Sequence, residues 1–454
     1  MTILEAARQL QAGEVTSVLL VDQALESIAK KDGQLNAFIT VLDSPARARA
    51  KELDSELAQG KYRGPLHGVP VAVKDIFHMK GIRTTAGSRV FEDLVSSFDS
   101  AVVERLETAG AVIVGKTNLH ELAYGVTSNN PHFGAVHNPH NLDCVPGGSS
   151  GGSGATVASG TVPMAMGTDT GGSIRIPAAF CGTVGLKPTF GRVSKFGCMP
   201  LGLSLDHMGP LTMTVRDTAV TMDAIAGHDP RDPNTSTRPV DGYLPSDHPT
   251  LKGVRIGWPI NFYCDGLDAE VRQSVADVRK LAESLGATVI EVRVPDIAAL
   301  NTISRVILMS EASAVLERRL TDRSKFGADV LALLDQGRLL PATDYVNAQR
   351  LRRVMQQEFR QLFDKVDCLL TAASPIPAPR IGQKTVIVDG AEEDTRLAAT
   401  RFVRGINALG LPALSLPCGL TAAGLPIGIQ IVGRGFAEKF LLEVGAALEA
   451  ALPA

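Results

Sequence analysis

The sequence predicts an α/β protein, a β-sheet with helices packed on both of its faces. Three observations carry this. Short, continuously apolar runs recur, such as VPVAVKD at 69–75 and PIGIQIVG at 426–433. A strand buried on both faces reads this way. Between them lie segments with apolar residues three and four apart, such as SAVVERLETAGA at 100–111, the spacing of a helix with one buried face. The two patterns alternate along the chain, as they do in a sheet layered between helices.

Taken in order, residues 1–60 read as a helical N-terminal layer. Thr2 and Thr16 are positioned to cap helices, and Ser44-Pro45 reads as an N-cap followed by Pro at the first helical position. From residue 69 strands appear: VPVAVKD, then the helix 100–111, then AVIVGKT at 111–117. NLHELAYG at 118–125 reads as a helix carrying His120. VPMAMGT at 162–168 and VRIGWP at 254–259 read as strands, with TAVTMDAIAG at 218–227 a helix between them. A helix at 268–285, the strand TVIEVRV at 288–294 and a long amphipathic helix at 341–363 follow. DCLLTA, PALSLPC and PIGIQIVG are three further strands, and 436–451 is a closing helix. The Pro- and Asp-rich stretch 228–252 reads as a surface connection.

Composition excludes several classes. The 454 residues carry a formal charge of −3, 44% hydrophobic and 20% charged residues, and no basic run. Nucleic-acid binding through a basic face is therefore not expected. The N-terminus lacks a basic region followed by an apolar core, and no run of about 18 apolar residues occurs, so neither export nor a membrane span is expected. Six scattered cysteines with no CxxC pair point to reduced thiols and a cytoplasmic location, and offer no zinc spacing. No metal and no cofactor is expected.

PGGSSGGSG at 146–154 admits three readings. A flexible linker is disfavoured by its place inside the alternating core and by GATVASG, which resembles a helix start. A phosphate cradle needs a Lys that reaches the phosphates, or a preceding strand, and neither is present. The third reading is catalytic. At 167–182, GTDTGGSIRIPAAFCG is a strand end, a Thr-Gly-Gly-Ser turn and a helix beginning near Ser173. Such a turn exposes a hydroxyl and gathers unpaired backbone N–H groups, which is what an oxyanion hole requires. A Ser nucleophile needs a base. His132, His137 and His140 sit in a Pro- and Asn-rich loop, His207 in SLDHMGP, and GxSxG is absent. Lys74, at the end of an apolar strand, is the other choice. It either pairs with Asp75 or snorkels to solvent, or it is desolvated and serves as a neutral base.

Lys74, GGSSGGS and GTDTGGSIRIPA together resemble the amidase signature family. Ser149 follows Lys74 by 75 residues and Ser173 follows Ser149 by 24, a spacing typical of that family. GPLHGVPVAVKD, AGAVIVGKTNLHELAYG, GLKPTFGRVS, SLDHMGPL and LPIGIQIVG are similar to family segments in family order. The resemblance covers most of the chain and is weakest over 230–400. It implies one domain over 1–454, with a large twisted mixed sheet covered by helices. Within it, 69–225 carries the catalytic motifs, 230–400 shapes the substrate site, and 401–454 returns to the core sheet.

The resemblance also implies site roles. Ser173 is the acyl-accepting nucleophile. Ser149, after a cis peptide bond from Gly148, is the bridging hydroxyl, and Lys74 is the base. The N–H groups of Thr170, Gly171, Gly172 and Ser173 form the oxyanion hole. Ser150, Asp169 and Arg175 are supporting residues, and Tyr124 and Gly125 line the substrate pocket. Cys144 stands where relatives carry a basic or polar residue, and reads as packing. The activity implied is hydrolysis of a small carboxylic amide, with that amide as the only small-molecule partner; a homodimer is left open. The alternative is the A subunit of a tRNA-dependent amidotransferase, a glutaminase working with partner subunits. Its glutamine would need charged groups, for which Arg305, Arg318, Arg319, Arg401 and Arg404 are available. The chain is somewhat short for that role. A non-catalytic scaffold would predict loss of Lys74, Ser149 or Ser173, and all three are present.

Overall fold

Eleven strands form one sheet in the computed structural model, which describes residues 1–452; positions 453 and 454 of the expected unit lie outside that description. Across the sheet the strands run Phe38–Val41, Val112–Thr117, Pro70–Lys74, Met164–Asp169, His207–Thr212, Val184–Lys187, Ala413–Leu420, Pro426–Gly433, Cys368–Ala372, Arg255–Pro259 and Thr288–Val292. Pairing is parallel from Val112–Thr117 through Pro70–Lys74 to Met164–Asp169, antiparallel through the centre, and parallel again at Cys368–Ala372, Arg255–Pro259 and Thr288–Val292. This is the mixed sheet that the resemblance implied.

The sheet is covered on both faces. The largest apolar cluster draws on residues from Ile3 to Leu448. A second packs helices Ser17–Leu35, Asp43–Ala58 and Gly151–Ala158 over the first strands, through Val21, Leu25, Leu53, Ala72, Val114 and Ala155. Pro70–Lys74, Val112–Thr117 and Met164–Asp169 are buried at every residue, as their uninterrupted apolar runs predicted.

Most local expectations hold. Thr2 caps Ile3–Gln11 in a reciprocal box with Glu5, and the Thr16 hydroxyl accepts from Leu19 N–H. Three differ. The third helix begins at Asp43 after Leu42, with no side-chain cap. Pro45 therefore sits inside the first turn, where its missing N–H would have had no partner anyway. The N-terminal 60 residues also include a strand, Phe38–Val41, paired with Val112–Thr117. NLHELAYG is not a helix: it makes a single 3-10 turn at Glu121–Ala123, where Leu122 and Ala123 take φ of 52° and 57°. Helices Ile297–Leu316 and Ala328–Arg338 were not anticipated. The first buries residues on several sides, including Ser304 and Glu311, so its sequence lacks a clear polar-apolar contrast. The 228–252 stretch has no regular element beyond turns and bends. No helix among the described residues is long and apolar enough to cross a membrane.

This topology sets up one location. Pro70–Lys74 and Met164–Asp169 are parallel neighbours, with Val73 opposite Met166. Their carboxyl ends, Lys74 and Thr168–Asp169, therefore emerge side by side, where ligand sites form in α/β sheets. Close packing at the sheet centre is strict: a Cβ on Gly209 would lie 2.1 Å from the Leu186 carbonyl oxygen of the next strand. Gly209→Ala should lower the unfolding free energy by about 1–3 kcal/mol. Urea denaturation checks this, and an unchanged midpoint would count against the packing described.

Candidate active site

Lys74 is fully buried, and its Nζ lies 2.7 Å from Ser149 Oγ, 3.0 Å from Ser150 Oγ and 2.9 Å from Thr168 Oγ1. No carboxylate pairs with it among the described residues. Successive side chains of a strand point to opposite faces. Asp75, the partner that the sequence left open for Lys74, instead pairs with the buried Lys116 at 2.7 Å and accepts from Thr85. Burial pulls the Lys74 pKa down from 10.5 to about 7, because desolvation disfavours the ammonium.

The hydroxyls around Lys74 are held by backbone. Ser150 Oγ donates to Thr168 C=O at 3.1 Å and accepts from Thr168 N–H at 3.2 Å. Its one proton is therefore committed, and it must accept from Lys74. The peptide bond Gly148–Ser149 is cis. The Ser149 carbonyl accepts from His120 N–H at 3.1 Å and from the Ser128 hydroxyl at 3.3 Å. The glycines that follow allow this crowding: a Cβ on Gly152 would sit 2.4 Å from the carbonyl oxygens of Ala37 and Asn118. Gly151–Ala158 is the helix that GATVASG suggested.

The second loop, Thr170 to Ile174, is pinned by Asp169 and Arg175. Both are fully buried and paired at 3.0 Å. Asp169 also accepts from the N–H groups of Gly172, Ile174 and Arg175 and from Asn407 Nδ2. Arg175 reaches Asn407 and Gln430. Burial opposes the charge on Asp169, but Arg175, with Lys187 and Asn407, holds its carboxyl below the usual range. Gly172 N–H is spent on Asp169 at 2.7 Å, which removes one of the four donors expected for an oxyanion hole. Gly171 and Ser173 N–H groups have no protein acceptor among the described residues. The Thr170 hydroxyl donates to Asp206 at 2.6 Å.

The two loops touch: Ser150 N–H donates to the Ser173 carbonyl at 3.3 Å. No hydrogen bond joins the Ser149 and Ser173 hydroxyls among the described residues. Ser173 is 6% exposed and lines a cavity of about 220 Å³ together with Tyr124, Gly125, Gly171, Arg305 and Arg404. Tyr124 and Gly125 form part of its wall. A more open cleft of about 1180 Å³, lined by Lys195, Met199, Glu311 and Tyr345, contains none of Lys74, Ser149 or Ser173.

The histidines serve elsewhere. His120 bonds Asp329, His132 bonds Glu121, His137 the Leu142 carbonyl and His140 the Cys181 carbonyl. Burial keeps His207 neutral, facing the Leu205 carbonyl. Cys144 is buried, and burial raises its thiol pKa, which suits packing. Of the other arginines, Arg401 is tied to Glu393 and the Gly266 carbonyl, and Arg319 stacks on Phe91. Thr168, Asn407 and Gln430 were not foreseen. The last two lie 232 and 255 residues from Arg175, and no local spacing signals such partners.

A family model described as Amidase matches residues 20–442. A Pseudomonas putida protein named Amidase is 43% identical over 455 residues, covering 99% of this chain and 96% of that protein. The A subunit of the glutamyl-tRNA(Gln) amidotransferase of Anaeromyxobacter sp. (strain K) is 42% identical over 473 residues, covering 98% and 95%. A solved structure, described as a vestigial protein complex revealing the evolutionary origins of an s-triazine catabolic enzyme, superposes with a TM-score of 0.95 at 35% identity, covering 99% and 98%.

Removing one partner of a buried ion pair leaves the other charge uncompensated. Arg175→Met should therefore destabilise the protein by about 3–5 kcal/mol. Denaturant unfolding measures this. A loss below about 1 kcal/mol, the scale of a surface pair, would deny Arg175 its bracing role.

Proposed function

The chain belongs to the amidase family, and on that premise we propose that it hydrolyses the C–N bond of a small carboxylic amide through a Lys74–Ser149–Ser173 relay and an acyl-enzyme. As a family member it is an enzyme acting on carbon–nitrogen bonds. The observation that carries the relay is the contact of a desolvated amine with Ser149 Oγ at 2.7 Å, with only hydroxyls around the amine.

Proton bookkeeping supports this reading. A neutral amine has two N–H donors and one lone pair. Ser150 can only accept from it, and Thr168 Oγ1 takes the second donor. The lone pair is left for the Ser149 proton. Ser149 in turn receives the proton of Ser173 as Ser173 Oγ attacks the amide carbon. The Ser149–Ser173 contact, open without substrate, closes in the Michaelis complex, as catalytic hydrogen bonds commonly do. The Gly171 and Ser173 N–H groups stabilise the developing oxyanion. The leaving nitrogen takes its proton back through Ser149, and water cleaves the ester by the same path reversed. Asp169 and Arg175 hold the loop so that these donors need no reorganisation.

A second reading is the A subunit of a tRNA-dependent amidotransferase, supported by the relative of that name. In that reading the same relay is a glutaminase, and the ammonia passes to partner subunits. Ammonia assays on the purified single chain separate the two: release from simple amides supports the first, and release from glutamine only with tRNA and partner subunits supports the second.

Ser173→Ala should lower kcat by at least about 10⁴-fold with the fold intact, and Lys74→Ala by about 10²–10⁴-fold. The base is active when neutral, so kcat/KM should be lost as pH falls through about 7 and reach a plateau above it. Full activity of the Lys74 variant at pH 7, or an acid limb unmoved from the carboxylate range, would refute the relay.

A further inference from the structure

The relay makes no use of three donor side chains of the Ser173 cavity, none of which pairs with a carboxylate among the described residues. Arg404 opens the short helix Arg404–Leu409, directly after Val403, whose methyl packs against Gly172. Its Nη1 would lie 3.6 Å from a Cβ built on Gly171, so the guanidinium rests beside the nucleophile loop. Its only side-chain hydrogen bond among the described residues is to Thr400 Oγ1 at 3.1 Å. Arg305, on the helix Ile297–Leu316, lines the same cavity and pairs with no carboxylate among the described residues. Burial first, and then the charge of Arg305, bring the Arg404 pKa down to about 10. Two arginines that pair with no carboxylate among the described residues therefore line one space. The third donor is Tyr124, 6% exposed, whose buried hydroxyl has no partner. Burial pushes its pKa up to about 12, so it stays a neutral O–H.

Among the described residues the wall carries one carboxylate, and it is not free to balance Arg305 and Arg404. Asp394 is the one carboxylate lining the cavity among the described residues, and it is engaged. It caps the helix Thr395–Thr400 by accepting from Arg396 and Leu397 N–H, and it lies 3.7 Å from Arg396 Nε. Arg396 itself lines the cavity, as do the apolar Leu308, Met309 and Leu333. A guanidinium recognises a carboxylate through paired, charge-assisted hydrogen bonds, and the buried, unpartnered Tyr124 hydroxyl favours a ligand that supplies an acceptor. A free ammonium would find one carboxylate here, Asp394, which the helix N-terminus and Arg396 already engage.

We propose that the substrate is a half-amide of a short dicarboxylic acid, with its free carboxylate held by Arg305 and Arg404 and its amide carbon presented to Ser173. The inference rests on the amidase reading and adds the substrate class. The reaction balances simply: the C–N bond breaks, water supplies the new C–O bond, and ammonia and a dicarboxylate leave. A glutamine-type substrate would have to place its α-ammonium against Asp394, which Arg396 already engages.

The test uses the purified full chain. Ammonia release is compared for succinamate and glutaramate, for neutral butyramide, and for glutamine. The half-amides should exceed butyramide in kcat/KM by roughly 10- to 100-fold, the range of a charged hydrogen bond. Arg305→Met and Arg404→Met should each shrink that ratio by about tenfold or more, chiefly through KM. Calorimetry with succinate and glutarate on Ser173→Ala gives an arm independent of turnover: binding should be seen, and it should be lost when Arg305→Met is added. Arg305 is exposed, so that variant remains informative if Arg404→Met fails to fold. Equal or better turnover of butyramide or glutamine would overturn the inference and leave the amidase reading intact. Dicarboxylate binding that needs Arg305, with no turnover of any amide, would overturn the relay and uphold the anion site. Failure of either dicarboxylate to bind Ser173→Ala would sink the anion site itself.

Discussion

An amine buried without a carboxylate is the condition around which this molecule is arranged. Water would solvate the Lys74 ammonium far better than three hydroxyls can. Strand alternation keeps the neighbouring Asp75 away, and Lys116 claims that carboxylate on the opposite face. With no counter-charge in contact, the amine is stabilised in its neutral form near pH 7. Hydroxyls suit such a group because Ser150 accepts from the amine while Ser149 can either donate to it or accept from it, so its contact persists on either side of a proton transfer.

Exact placement of those hydroxyls falls to backbone rather than to other side chains. Ser150 is clamped by both polar groups of Thr168, and Ser149 is held through its own carbonyl. On the facing loop the Asp169–Arg175 pair gathers three N–H groups and two distant amide side chains. Such a pair gains little over an apolar replacement in energy alone. Its use here is geometric: it holds a turn of small residues in one shape. The same network takes the Gly172 N–H away from the cavity, so fewer donors face the reacting carbonyl than the turn contains.

The cavity beside Ser173 draws part of its wall from a different part of the chain. Arg305 comes from a helix in the middle of the sequence and Arg404 from a segment that returns to the core sheet. Both line the cavity that holds Ser173, while Lys74, Ser149 and Ser173 themselves come from residues 74–173. This division lets the wall change its charge without touching the relay.

The sheet and its two parallel flanks were legible because buried strands read as unbroken apolar runs, as at 70–74 and 426–433. The catalytic loops were legible because their Gly and Ser residues sit at characteristic intervals. Local rules failed where a neighbour outvoted them: at Asp43–Ala58, which starts a residue before its apparent cap, and at Glu121–Ala123, where apolar residues turn left-handed instead of forming a helix. Ile297–Leu316 escaped notice because burial on several sides erases the contrast that marks a helix. Residue types and spacing along the chain were enough to define the layered architecture, which depends on short-range pattern, and, through the family resemblance, to single out Lys74, Ser149 and Ser173 as candidates. Which face received Asp75, which N–H Asp169 captured, and which two of five arginines met beside the nucleophile depended on folding, because those contacts join residues up to hundreds of positions apart through packing that no local pattern encodes.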